Sequence, residues 1–252
     1  MKHCAWLVVL LLFSAVAANA SADEPADQAA ATKASRQAEA ISLVGRLSGH
    51  YRLAITQIDL SESSVSDDDL ETLSGLTSLQ ELNLHGTGIS DVGVAYLNGL
   101  TGLESLFLDD TKITDIGAAH LERLVRLEAL YLDNTLVGDE GLRFIAGLVR
   151  LDDLSLSSTR ITDAGLANLK DLHSLRQLSL ANTKIGDAGL AAIAGLDKLE
   201  ELALDGTAVS DRGLVQLEGL KHLRELGVAG TRVSAAGIKR LEHALPKLKI
   251  GR

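Results

Sequence analysis

Ser61, His85, Asp109 and Asp133 follow one another at intervals of 24 residues, each at the end of a short apolar alternation. A serine, an imidazole and a carboxylate are the parts of a nucleophile activated by a base that an acid orients. In that reading Ser61 attacks, His85 takes its proton and Asp109 holds the ring. The same column offers His85, Asp109 and Asp133 as zinc ligands or, with further oxygens from Asp110, as a calcium site. What these groups can do depends on the elements that carry them. Presented by successive strands, they stand in a row on an open ladder without pocket, lid or oxyanion hole, which favours neither chemistry. A row of polar side chains on a solvated sheet has this composition without any site.

The interval of 24 belongs to the whole chain. LTSLQELNLHGTGISDVGVAYLNG, LTGLESLFLDDTKITDIGAAHLER and LVRLEALYLDNTLVGDEGLRFIAG follow without gaps, and five more copies bring the series to eight, from Arg52 to His243. Each copy changes hydrophobic period midway. Leu106 and Leu108 alternate with Ser105, Phe107 and Asp109, the pattern of a short strand, and Ile113, Ala118 and Leu121 then fall at helical spacing. Thr114 and Asp115 read as the helix N-cap and first-turn acid. The unit is strand, turn, helix, turn. Such a unit cannot bury its apolar face alone, so the copies must stack, strand beside strand, into one parallel sheet with the helices outside.

Three columns of small residues fit that frame. Glycine recurs from Gly93 to Gly237 inside each helix start, a structural position rather than a phosphate loop. A second set, Gly75, Gly99, Gly147, Gly195 and Gly219, is expected to form left-handed helix C-caps. Threonine, from Thr87 to Thr231, follows every full strand, with Ser63 in the first copy, and is expected to form a buried hydroxyl ladder bonded to turn backbone.

LxxLxxLxLxxTxITDxGLxxLxxLxx, as in LVRLDDLSLSSTRITDAGLANLKD, resembles the leucine-rich repeat family, specifically the Thr-bearing 24-residue repeats of secreted bacterial members. Threonine stands here where many relatives carry Asn or Cys. The resemblance covers the eight copies. It implies an α/β solenoid, a horseshoe with a parallel concave β-sheet and outer helices, whose inner sheet binds protein and performs no chemistry.

The chain begins with Lys2 and an apolar run from Ala5 to about Ala18, followed by Ala18-Asn19-Ala20 and Ala20-Ser21-Ala22. Residues 1–22 read as a cleaved secretory signal, the run being shorter than the ~20 residues that span a bilayer. Export to the periplasm or exterior follows, with no membrane span after cleavage. Cleavage removes Cys4, the only cysteine, and with it every thiol nucleophile, thiolate ligand or disulfide. Residues 23–34 are expected to form a flexible leader and 35–51 a helix capping the first repeat, with Ala38, Ile41 and Val44 as its apolar stripe. Residues 244–252 form the C-terminal cap, where Leu245 to Ile250 resemble a last half-strand.

Charge narrows the choice of partner. With 24 Lys and Arg against 34 Asp and Glu the formal charge is −10, unsuited to a general nucleic-acid binder. The sheet positions flanking the inward leucines are mostly small or acidic, and Phe107 and Tyr131 are their only aromatics, in one column of neighbouring copies. An exposed aromatic pair beside His85, Asp109 and Asp133 has the composition of an interface hot spot, or of a cross-strand pair that only stabilises the sheet. Glu81, Asp109, Asp133, Asp153, Glu201 and Asp205 favour a cationic partner. The expectation is a monomeric, non-enzymatic protein-binding scaffold with no cofactor, a glycan or peptide being the lesser choice of ligand. The alternatives are the hydrolytic or metal column, and a structural envelope protein assembled head to tail through the basic stretch from Lys221 onward.

Overall fold

The computed structural model describes residues 55–251. The expected signal, leader and capping helix (1–22, 23–34 and 35–51) lie outside the described residues. Nine three-residue strands form one parallel sheet in sequence order: β1 Gln57–Asp59, β2 Glu81–Asn83, β3 Ser105–Phe107, β4 Ala129–Tyr131, β5 Asp153–Ser155, β6 Gln177–Ser179, β7 Glu201–Ala203, β8 Glu225–Gly227 and β9 Lys249–Gly251. Every pairing joins residues 24 apart, from Gln57↔Glu81 to Glu225↔Lys249. A helix follows each of the first eight strands: α1 Asp67–Glu71, α2 Asp91–Ala95, α3 Asp115–Ala119, α4 Asp139–Ile145, α5 Asp163–Leu166, α6 Asp187–Ile193, α7 Asp211–Leu214 and α8 Ala235–Ala244. Most are shorter than their apolar spacing implies; Ile113 and Leu121, for example, flank α3 rather than belong to it.

The core fills the space between sheet and helices along the whole array. Each of the first seven strands contributes a buried central residue and the leucine after it, such as Leu106 with Leu108 and Leu130 with Leu132, none of them exposed, and β8 contributes Leu226 with Val228. Burying a leucine stabilises by about 1.5–3 kcal/mol, so stacking supplies what no single unit could. Thr87, Thr111, Thr135, Thr159, Thr183, Thr207 and Thr231 each donate to the carbonyl three residues back, at 2.5–2.7 Å. The threonine column therefore closes the turn after each strand. Ser63 differs, its hydroxyl accepting from the Val65 amide.

The expected left-handed glycine caps are not found. Gly75, Gly99, Gly147, Gly195 and Gly219 all lie outside the left-handed region, which is populated instead by Glu62, Gly86, Asp110, Asn134, Ser158, Asn182, Gly206 and Gly230, with φ between 54° and 70°. The chain must reverse immediately after the strand, ahead of the threonine, and Gly, Asn and Asp tolerate that conformation best. Amides of this column from Glu62 to Gly206 donate to carbonyls of the next repeat at 2.7–2.9 Å, extending the ladder beyond the strands.

A second ladder joins the helix starts. Asp67, Asp91, Asp115, Asp139, Asp163, Asp187 and Asp211 each accept, through Oδ1, the amide of the N-cap residue of the next helix, at 2.7–2.8 Å. Where that residue is Ser or Thr, its hydroxyl donates to the second oxygen. This explains the first glycine column. A Cβ on Gly93, Gly117, Gly141, Gly165, Gly189, Gly213 or Gly237 would intrude on the Oδ1 of the aspartate 26 residues earlier. Asp and Gly are thus two halves of one joint between repeats.

Burial opposes ionisation of Asp187, but the hydroxyl and amide of Ser210, the amide of Gly213 and Arg212 outweigh it and hold the carboxyl below its usual range. Asp211 is held low in the same way by the hydroxyl and amide of Ser234. A carboxylate depressed in the folded state contributes stability that is complete above the unfolded value, about 3.9, and is lost as pH falls through the folded value. The urea midpoint is therefore expected to drop below about pH 4, and Asp187→Asn to flatten that drop. An unchanged slope in Asp187→Asn would exclude the ladder as its source.

Candidate functional site

The face of the sheet turned away from the helices carries three columns of side chains. Two flank the buried strand centre, and the third follows the inward leucine, where Ser61, His85, Asp109 and Asp133 stand. All nine residues singled out by sequence lie on this face, but the fold divides them into groups.

Phe107 and Tyr131 are register partners on β3 and β4, half-buried, with ring centroids 4.8 Å apart and planes 9° from parallel. The separation matches the strand spacing, as expected of register partners whose rings stack. The Tyr131 hydroxyl donates to Asp153 on β5. Burial, then that hydrogen bond and the Asp153 charge, with Asp109 and Asp133 beyond, push the phenol well above its usual value. Burial also raises the Asp153 carboxyl, and the Asp152 and Asp133 charges add to this against the opposing Tyr131 bond.

The third column forms a chain of carboxylates fixed by local bonds. Asp109 accepts the Asp133 amide at 3.0 Å, and Asp133 accepts the Ser155 hydroxyl at 2.6 and 2.7 Å together with the Ser157 amide. Burial first, and the Asp133 charge after it, raise the Asp109 carboxyl. His85 Nε2 lies 3.2 Å from Glu62, and Nδ1 lies 3.7 Å from Asp110 and 3.9 Å from Asp109. Sequence reading missed Glu62, which reaches the ring from the left-handed turn; the recurrence of turn-forming residues just ahead of the threonines was the available signal. Glu81 is apart from this group, accepting from Gln57 Nε2 at 2.7 Å. Asp205 accepts the Ala229 amide at 2.7 Å, and Glu201 stands exposed on β7.

The Ser61 and metal arrangements of the column are not assembled among the described residues. Ser61 offers its amide to Asp59 at 3.0 Å, and among the described residues no hydrogen bond joins it to His85. No three His, Cys, Asp or Glu side chains among the described residues are placed to hold a metal ion. In the parallel register, equivalent side chains on neighbouring strands point outward side by side.

A groove of about 650 Å³ runs along the sheet from Tyr131 to Gly251. Its floor is the continuation of the aromatic column, Ser155, Ser179, Ala203, Gly227 and Gly251, in which side chains shrink to nothing. Asp153, Glu201 and Glu225 line one side. No helix among the described residues is long and apolar enough to cross a membrane.

A single-layer parallel sheet with one helix per strand and a constant register of 24 defines a repeat solenoid with one open face. A model for leucine rich repeats matches residues 149–209, and another, for two copies of such repeats, matches residues 77–120. Over those residues the chain carries leucine-rich repeats, and its fold is that of a leucine-rich repeat solenoid. It is similar in fold to an internalin C2 (inlC2) of Listeria monocytogenes, at 23% identity and a TM-score of 0.67, over 84% of this chain and 91% of that one. An internalin (inlF) of the same organism aligns at 23% identity and a TM-score of 0.61 over 78% of this chain, which spans 60% of that protein's length. A leucine-rich repeat protein of Leptospira interrogans aligns at 19% identity and a TM-score of 0.52, over 78% of this chain and 60% of that one. No curated protein matches the chain in sequence.

Proposed function

We propose that this chain is an exported, non-enzymatic scaffold that binds a protein on the open face of its sheet, residues 1–22 serving as the export signal and residues 52–243 as the array. The observation that carries the reading is the half-exposed Phe107–Tyr131 stack on an otherwise small and acidic face. Aromatic anchors surrounded by polar groups are the usual energetic centre of an interface, and leucine-rich repeat proteins typically serve as interaction scaffolds. A preformed sheet fixed by two inter-repeat ladders loses little freedom on association, so contact energy appears as affinity. Asp109, Asp133, Asp153, Glu201 and Asp205 select for a cationic partner, and Glu81 extends the same field toward β2.

The test is affinity capture from envelope and secreted fractions of the source organism, comparing wild type with the Phe107→Ala/Tyr131→Ala variant after circular dichroism shows both folded. A partner held by wild type and lost at least tenfold by the variant is expected. Equal retention by both would remove the aromatic pair from the interface.

A further inference from the structure

The Phe107–Tyr131 stack has one face turned toward the groove. Tyr131, second of two rings with planes 9° apart and centroids 4.8 Å apart, lines the groove together with Asp153 and the largely buried Ser155 of the next strand. At that next position the sheet supplies no ring, only a serine hydroxyl already bonded to Asp133. The Asp153 carboxylate meets the Tyr131 hydroxyl on one side of this slot, and the Asp133 carboxylate meets Ser155 on the other. An aromatic wall, a small floor and two carboxylates define a place for a group that is flat and positively charged.

We propose that the slot receives an arginine side chain from an extended segment of the partner lying in the groove. Its guanidinium continues the stack on Tyr131 and pairs with Asp133 and Asp153. A guanidinium stacks on an aromatic face and presents donors in a planar fork, whereas an ammonium is a compact, strongly hydrated point charge. A neutral ring in the same place would cover two carboxylates without neutralising them, at a desolvation cost. Burial raises the Asp153 carboxyl against the Tyr131 hydrogen bond, and an incoming cation adds a countercharge to the neutral hydroxyl already there. The segment can continue past the slot because the floor falls away through Ser179, Ala203 and Gly227 while Glu201 keeps the same sign of field, up to Glu225, which Lys249 pairs at 3.6 Å.

This inference rests on the open-face reading, and its test separates the two. The full chain is titrated with a fluorescent nine-residue peptide of alternating arginine and serine, and with versions carrying lysine or citrulline in place of arginine. The arginine peptide is expected to bind at least tenfold more tightly than either. Tyr131→Ala is expected to lose that preference, Tyr131→Phe to keep most of it and Asp153→Asn to reduce it severalfold, with circular dichroism confirming each fold. Equal affinity for arginine and lysine peptides, unaffected by Tyr131→Ala, overturns the arginine slot and leaves plain acidic attraction. Capture of a protein through the aromatic pair combined with no arginine preference also overturns the slot while leaving the binding face in place. An arginine preference that depends on Tyr131 supports the slot even where envelope capture fails.

Discussion

Gly165→Ala is expected to cost about 2–3 kcal/mol, while Gly147→Ala at the end of the preceding repeat is expected to be neutral or to gain about 0.5 kcal/mol. The two glycines differ in what a methyl group would meet. At Gly165 it would collide with Asp139 Oδ1 and stand 2.9 Å from the Asp139 Cα, which is backbone and cannot swing aside. At Gly147 nothing lies within 4 Å, and the backbone is outside the left-handed region. The urea midpoint with a fixed slope measures both. Asp139→Ala alone leaves the Thr162 amide and hydroxyl without their acceptor, at about 1–2 kcal/mol. Because that substitution also removes the colliding oxygen, the double variant should cost less than the sum of the singles. Strict additivity would show that the Asp–Gly joint is not the cause.

Leu130→Ala is expected to cost about 3–4 kcal/mol, and Leu248→Ala less than half of that. Leu130 is wholly buried at the centre of β4 with a repeat packed on each side, so truncation opens a cavity that no side chain can reach without breaking register. Leu248 lies just before the last strand, is 9% exposed and borders the end of the array. In a solenoid each unit touches only its neighbours, so an interior defect weakens two interfaces and a terminal one weakens a single interface. Amide exchange should accelerate first in β3, β4 and β5 of Leu130→Ala. Equal losses at the two positions would mean that the array unfolds as one indivisible core.

What could be read from sequence was whatever a single repeat decides for itself. The alternation of Leu106 and Leu108 fixes which side of the strand is buried, Thr111 closes its own turn, and Thr114 caps its own helix, accepting the Ile116 amide. The aromatic column was legible for the same reason, because a period of 24 places Phe107 beside Tyr131. Relations crossing from one repeat to the next at other offsets were hidden. Asp91 meets residues 23 and 26 positions ahead, Thr114 and Gly117, and Tyr131 reaches Asp153 at an offset of 22. Those offsets depend on how far each side chain leans, which periodicity does not encode. The left-handed turn was misplaced onto the glycines because glycine was the obvious marker, whereas Asp110, Asn134, Ser158 and Asn182 adopt the conformation with ordinary side chains.

The uniform register has a mechanical consequence. The inter-strand hydrogen bonds lie across the strands and therefore along the line in which repeats succeed one another, so tension between the two ends loads these bonds end-on and in series. Each junction holds a three-residue strand pair, its flanking ladders and the apolar core packed across it. Among the described residues, strand pairing joins each repeat to its immediate neighbours. Such a molecule yields link by link, each link releasing a similar length of chain, and the repeats that have not yet yielded keep their shape and their open face under load.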